Sequence, residues 1–390
     1  MSLLKFKADR LFDGYHFKDD AVLIVDEEGK VEDIVKTIDA GDDVKELKGI
    51  LSPGLINCHC HLELSHMKGH ISQKSGLVQF VVDVVQQRHF PEEEILKAIE
   101  KAEDEMLQNG IIAVGDICNN ILTLAQKAKG RIYYHNFIEA SGFLPAIAEQ
   151  RFQRSKEFYR EYAKYYSIPI ESNSIVPHAP YSVSDELWEL IIRFPGNHLF
   201  TIHNQETGGE NEWFMQKTGD FNLLYEKMNI DPTHFSPTAK SSFQSFIHRF
   251  LPNQSVILVH NVHTSQEDLD YCRESSIANR QSWCVCIKAN QYISGSVPPL
   301  DLLMKNNCEI VLGTDSLASN DELNILSEIE TIKKFFPHIP LEVLLQWATI
   351  NGARALEMDS LLGSFEKGKR PGVVLIDENE SQITQISRIL

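Results

Sequence analysis

No apolar run in the 390 residues approaches the ~20 that a membrane-spanning helix requires. Met1 to Asp9 alternates like a strand and lacks both a continuous apolar core and a small-residue cleavage site, so no secretory leader is expected. Positive charge is scarce. The chain has 37 Lys and Arg against 55 Asp and Glu, a net charge of −18. Such a surface repels polyanions, which argues against nucleic acid and anionic membranes as partners and leaves small molecules. The seven cysteines are an odd number and sit mostly in apolar runs, the pattern of reduced thiols in a cytoplasmic protein. Cys284-x-Cys286 has no matching pair, so both are expected in the core. Internal repeats and low-complexity tracts are also missing.

What is present is an ordinary globular composition, 43% hydrophobic and 24% charged, long enough for one or two domains. The first fifty residues read as strands: Leu3 to Phe12, Ala21 to Asp26 and Lys30 to Lys36. From Pro53 onward, apolar strands alternate with amphipathic helices. Ile95, Ala98, Ile99, Ala102 and Met106 mark one helical stripe between Pro91 and Gln108. Strands are expected at Leu55 to Leu64, Ile111 to Asp116, Arg131 to Glu139, Asn173 to Pro177, Leu199 to His203, Val256 to His260, Trp283 to Ala289 and Glu309 to Asp315. Eight such units predict a (β/α)8 TIM-type barrel over 53–356. Residues 1–52 and 357–390 are expected to join in a small β-sandwich domain built from both chain ends. Residues 207–255 exceed the usual strand-to-strand spacing and are rich in aromatics. They predict a helical insertion, a lid over the barrel mouth, or both.

Polar residues at the C-terminal ends of barrel strands are the candidates for chemistry. His59 and His61 alternate onto one face of strand one, with Glu63 behind them, while Cys58 and Cys60 face the other way. A lone His-x-His is weak evidence for a metal, but the other strand ends add Asp116, Glu139, His178, His203, Glu206, His260, His263, Asn290 and Asp315. His59, His61, His203 and Asp315 offer three nitrogens and a carboxylate, which suits one divalent ion, Zn2+ first and Fe2+ second. Such an ion lowers the pKa of bound water enough to supply hydroxide at neutral pH. Asp315 is placed to take the water proton, Glu206 to act as general acid, and His260 to stabilise the tetrahedral centre. Asp116 and Glu139 divide evenly between supporting roles and substrate contact. Ser316 and Ser319 are expected to bond loop backbone. His66, His70, His89, His198, His234 and His248 are expected to be surface or local hydrogen-bonding residues.

The ordered set Pro53-Gly54-Leu55-Ile56-Asn57 before His59-x-His61, Pro177-His178-Ala179-Pro180-Tyr181, His203-Asn204-Gln205-Glu206, Val259-His260, Gly313-Thr314-Asp315-Ser316 and Gly363 to Arg370 resembles the amidohydrolase superfamily. Within it, the chain resembles the branch of cytosine deaminases, chlorohydrolases and adenosine-type deaminases, including the aminodeoxyfutalosine type. The resemblance implies the same metal, acid and polarising roles as above. It adds His178 as a substrate contact and Glu63 as a contact to sugar hydroxyls, with Asn290 as a further substrate-binding candidate. No lysine lies between Glu171 and Tyr181 to bridge two metals, which implies a single ion. Ile287 stands where many relatives have proline. The implied reaction is deamination of a small aminated heterocycle with release of ammonia. The alternative is the same machinery acting on a C–Cl bond or a cyclic amide. A scaffold without catalysis would be expected to lose ligands, and none is missing here. Members of the group are often dimers, so a homodimer is an expectation by resemblance alone.

Overall fold

Strands covered by helices on one side and packed side chains on the other are buried along almost their whole length and carry mostly apolar residues. Eight segments of this chain meet that condition. The computed structural model describes residues 3–165, 172–379 and 382–390. In it these segments form a (β/α)8 TIM-type fold of two parallel four-stranded halves. Leu55–Cys60, Ile111–Cys118, Tyr133–Ala140 and Asn173–Pro177 make the first half. Leu199–Asn204, Ser255–His260, Gln281–Val285 and Glu309–Leu312 make the second. Ladders run within each half, and the two seams between them are narrower. At one, the His203 amide donates to the His178 carbonyl at 3.0 Å. At the other, the amides of Thr314 and Asp315 both donate to the His59 carbonyl at 3.1 Å. The seams are thus held by the residues singled out for chemistry.

Several boundaries differ from the sequence expectation. Strand one ends at Cys60, because the Leu62 amide turns to donate to Asp116 Oδ1 at 2.8 Å and Leu62–Met67 coils into a 3-10 helix. Glu63 therefore does not continue the face shared by His59 and His61. Strand seven ends at Val285, and Asn290 lies inside the helix Ile287–Ile293 that follows it. The helix Glu92–Gln108 buries Ile95, Ile99, Ala102 and Met106 as its spacing predicts. All seven thiols are free and six are buried. Among the described residues, no helix is long and apolar enough to cross a membrane.

The chain ends form two sheets. One has the order Val31–Lys36, Ala21–Asp26, Leu3–Lys7, Val44–Glu46. The other runs Gln382–Arg388, Val373–Asn379, Ile50–Pro53, Arg10–Phe12, Phe17–Lys18. Phe6, Leu23 and Val25 from the first share a core with Leu11, Leu51 and Val373 from the second. The segment 207–255 divides in its packing. Phe243, Phe246 and Phe250 join the main barrel core. Trp213, Phe214, Phe221 and Tyr225 join a separate cluster above the strand ends, with Leu77, Phe80 and Val84.

Beneath that cluster, a buried ion pair props strand two. Lys127 Nζ lies 2.5 Å from Asp116 Oδ2, both side chains fully buried, and 2.8 Å from Asn136 Oδ1. A carboxylate left unpaired in that position is costly. Lys127→Met is expected to lower the unfolding free energy by about 3–5 kcal/mol in urea denaturation. A loss under about 1 kcal/mol, the scale of an exposed pair, would mean that the pair is incidental to stability.

Candidate active site

Barrel geometry brings the strand ends together on one rim, and there the local backbone is unusual. Gln205, His260, Asn261 and Asp315 have φ of 46°, 76°, 58° and 58°. L-residues adopt these left-handed values at a cost of about 1–3 kcal/mol each, and such residues cluster at functional sites. The turns let each strand redirect a side chain toward the barrel axis. Gly313 permits the closest approach, since a Cβ there would meet Cys284 Sγ, Cys286 Sγ and His59 Cβ at 2.8–2.9 Å.

Four donors converge. His59 Nε2 and His61 Nε2 are 3.2 Å apart, and Asp315 Oδ1 lies 3.5 and 3.4 Å from them. With His203, these residues offer ligand atoms all within 4.8 Å of one another. Zinc bonds of about 2.0–2.1 Å in a tetrahedron place ligand atoms about 3.3 Å apart, so the donor set fits a zinc-sized ion. The supporting contacts fit the same purpose. His203 Nδ1 donates to the His178 carbonyl at 2.8 Å, which leaves Nε2 free as a ligand atom. Ser319 Oγ donates to Asp315 Oδ2 at 2.5 Å and also lies 3.2 Å from the Ser316 carbonyl, the loop-backbone contact expected of it. Burial pushes His59, His61 and His203 below the ordinary imidazole pKa, so all three are neutral and able to ligate. Burial also raises the Asp315 pKa, but His61, His260, Ser319 and His203 outweigh it and hold the carboxyl below its usual range.

Glu206 and His260 stand beside this set, with His260 Nε2 3.6 Å from Glu206 Oε2. Burial first, then the charges of Asp315 and Glu210, push the Glu206 carboxyl well above its ordinary pKa, which favours its protonated form. Asn290 Nδ2 meets His260 Nδ1 at 3.0 Å. This amide orientation puts the imidazole proton on Nε2, the nitrogen facing Glu206. Asn290 thus orients His260 from behind and does not line the cavity, which corrects its expected place as a substrate contact. The reason is the early end of strand seven, which carries Asn290 into the next helix.

The site opens into a cavity of about 470 Å³. Its floor includes His61, His178, His203, Glu206, His260 and Asp315. Its walls are mostly apolar: Phe80, Val81 and Val84 on one side, Phe143 on another, Leu224 and Met228 above. Glu63 stands outside it, 2% exposed. Its carboxylate accepts from Arg88 Nη2 at 3.1 Å, the Asn119 amide at 3.0 Å and Asn120 Nδ2 at 2.7 Å. Glu63, expected as a direct contact, does not line the cavity, whereas Arg88 and Asn119, which it holds, do. Glu139 lines it as well and accepts from Asn119 Nδ2 at 2.8 Å, whereas Asp116 is a buried support. His263 and the histidines expected at the surface do not line it.

Arg88 and the wall before it were missed by sequence reasoning. They belong to the helix Leu77–Gln87, whose valine-rich run LVQFVVDVV suits a strand as readily as a helix. The available signal was Gly76 before the run and the polar Gln86-Gln87-Arg88 after it.

Comparison with known proteins bears on the fold and the family. A 5-methylthioadenosine/S-adenosylhomocysteine deaminase of Thermoanaerobacter pseudethanolicus is 27% identical over 358 residues, 85% of this chain and 74% of that protein. The crystal structure of Helicobacter pylori aminofutalosine deaminase in complex with methylthio-coformycin superposes with a TM-score of 0.84 at 21% identity, covering 99% of this chain and 100% of that one. A zinc-bound adenosine deaminase from Xanthomonas campestris superposes with a TM-score of 0.71 at 20% identity, over 97% of this chain and 86% of that one. Residues 50–389 match the sequence profile of the amidohydrolase family, from the strand that leads into His59-x-His61 to the last strand of the end sheets, and the chain belongs to that family.

Proposed function

We propose that this chain is a metal-dependent deaminase acting on a purine-nucleoside-like substrate, with His59, His61, His203 and Asp315 as the ligands of one divalent ion. The observation that carries the reading is the pairing of that buried donor set with the buried Glu206 carboxyl, beside His260, on the floor of a mostly apolar cavity. The deaminase names of the relatives above support the substrate class. Three nitrogens and one carboxylate oxygen favour zinc. When bound, the ion supplies a hydroxide nucleophile at neutral pH.

The residues of the chain account for the remaining steps. Asp315, steadied by Ser319, receives the proton of the attacking water. Glu206, whose burial favours its protonated form, protonates the ring nitrogen beside the attacked carbon. His260 directs an N–H at the charge that develops on the incoming oxygen. Addition of water and departure of ammonia convert the amine-bearing carbon to a carbonyl. His178 and Glu139 face the heterocycle, and Arg88 and Asn119 meet the sugar-side group from the polar wall. The apolar wall excludes water and suits a substrate whose far end is not strongly hydrated.

Asp315→Asn and His203→Ala are expected to lose bound metal, read by elemental analysis, together with turnover. Full activity in either would remove the ligand assignment. Glu206→Gln is expected to keep its metal and lose about 10²–10⁴-fold in kcat. Recovery of a metal-free Glu206→Gln protein would show that the residue ligates instead. Ammonia release by the zinc-loaded chain, assayed on aminated purines, their nucleosides, pyrimidines and triazines, is expected with adenosine-like compounds. Turnover of chlorinated triazines alone would redirect the reading to a different leaving group.

A further inference from the structure

One buried carboxylate beside the site takes no direct part in the steps described above, although its charge bears on Glu206. Glu210 is 1% exposed and lies in the first turn of the helix Gly208–Gln216. A glutamate at that point of a helix ordinarily reaches back to the amide of the capping residue, here Thr207. Glu210 reaches further. Its Oε1 accepts from the Gln205 amide at 3.2 Å, and its Oε2 accepts from the Glu206 amide at 3.3 Å. Both residues lie before the helix, and Gln205 carries the left-handed backbone that turns Glu206 toward His260. Ser242 Oγ donates to the same Glu210 Oε1, from the start of the helix Ser242–Phe246 in the long segment after strand five. The side chain of Gln205 is fixed separately: Nε2 donates to Asp268 Oδ2 and Oε1 accepts from Thr264 Oγ1, each at 2.9 Å. Ser241, beside Ser242, donates to the other oxygen of Asp268 at 2.5 Å. Two adjacent serines of that segment therefore clamp both carboxylates that hold the turn.

We propose that Glu210 is a positioning residue for catalysis: with Ser242 it holds the Gln205–Glu206 backbone in the strained turn that aims the Glu206 carboxyl at the reacting centre. This rests on Glu206 being the proton carrier. The role also gives the segment 207–255 a task separate from walling the cavity. Its Leu224 and Met228 meet the substrate space, while its Ser242 braces the acid from below.

The test uses full-length, zinc-loaded protein with 5-methylthioadenosine and four variants: Glu210→Gln, Ser242→Ala, Glu206→Gln and the double variant Glu206→Gln/Glu210→Gln. The glutamine keeps the size of Glu210 but turns an NH2 toward a backbone N–H. Glu210→Gln is expected to retain one zinc per chain and a nearly unchanged KM while kcat falls tenfold or more. Ser242→Ala is expected to show a smaller fall of the same kind, and it carries the test if Glu210→Gln does not fold. Addition of Glu210→Gln to Glu206→Gln is expected to cost nothing further, because residues acting through one group are not additive. The proposal is overturned if Glu210→Gln, or Ser242→Ala in its place, keeps kcat within twofold of the parent. It is also overturned if Glu210→Gln slows the Glu206→Gln enzyme by the same factor as the parent. Full activity in Glu206→Gln would instead remove the proton-carrier reading, and this inference with it.

Discussion

Keeping several polar groups dry and close together around one point is the constraint on which this molecule turns. His59, His61, His203 and Asp315 are each less than a tenth exposed and present ligand atoms a few ångströms apart. His59 Nδ1 has no hydrogen-bond partner among the described residues. Burying such groups uncompensated costs several kcal/mol. The chain tolerates the arrangement because the same residues are built into the backbone seams of the barrel, where the carbonyls of His59 and His178 receive the bonds that join its halves. A divalent ion would offset the desolvation of all four donors at once.

The supports are arranged in layers around that centre. Asn57 Nδ2 donates to Thr314 Oγ1 at 2.7 Å, which ties strand one to the turn after strand eight. Lys127 and Asp116 hold the amide that ends strand one. Asn290, Ser319 and the carbonyl of His178 each fix one face of a functional side chain. Positioning of this kind matters because proton transfer and charge stabilisation depend on reach and alignment as much as on pKa. The left-handed residues on the rim carry the local strain, and the parallel strands beneath them are stiff enough to hold it.

The roof has a different character. Its cluster is separate from the barrel core and draws on Leu64 to Phe80 on one side and Trp213 to Tyr225 on the other. A wall assembled from two stretches far apart in sequence can change its lining without disturbing the ligands below. That separation of duties explains why one rim can serve many substrates across a family that shares a barrel.

The amino-acid sequence by itself pointed to the barrel strands, the strands of the end sheets, and the residues His59, His61, His203, Asp315, Glu206 and His260 that the structure gathers on one rim. Each rests on a local signal: period-two and period-3.6 patterning, or a short spacing such as His-x-His and His-x-x-Glu. The helix Glu92–Gln108 falls where its apolar stripe predicts. Tertiary structure alone decided the rest. Glu63 reads as a third member of a strand face, but the pull of Asp116 on the Leu62 amide ends the strand and turns Glu63 toward Arg88. Asn290 reads as a strand-end contact, but strand seven stops early and leaves it behind His260. Local signals mark the helix ends near Arg88 and Glu210 but not their roles, because Glu63 and Ser242, which they meet, lie 25 and 32 residues away along the chain. Which residues touch across a barrel rim is set by where each strand ends, and a strand ends where a distant side chain captures its next amide.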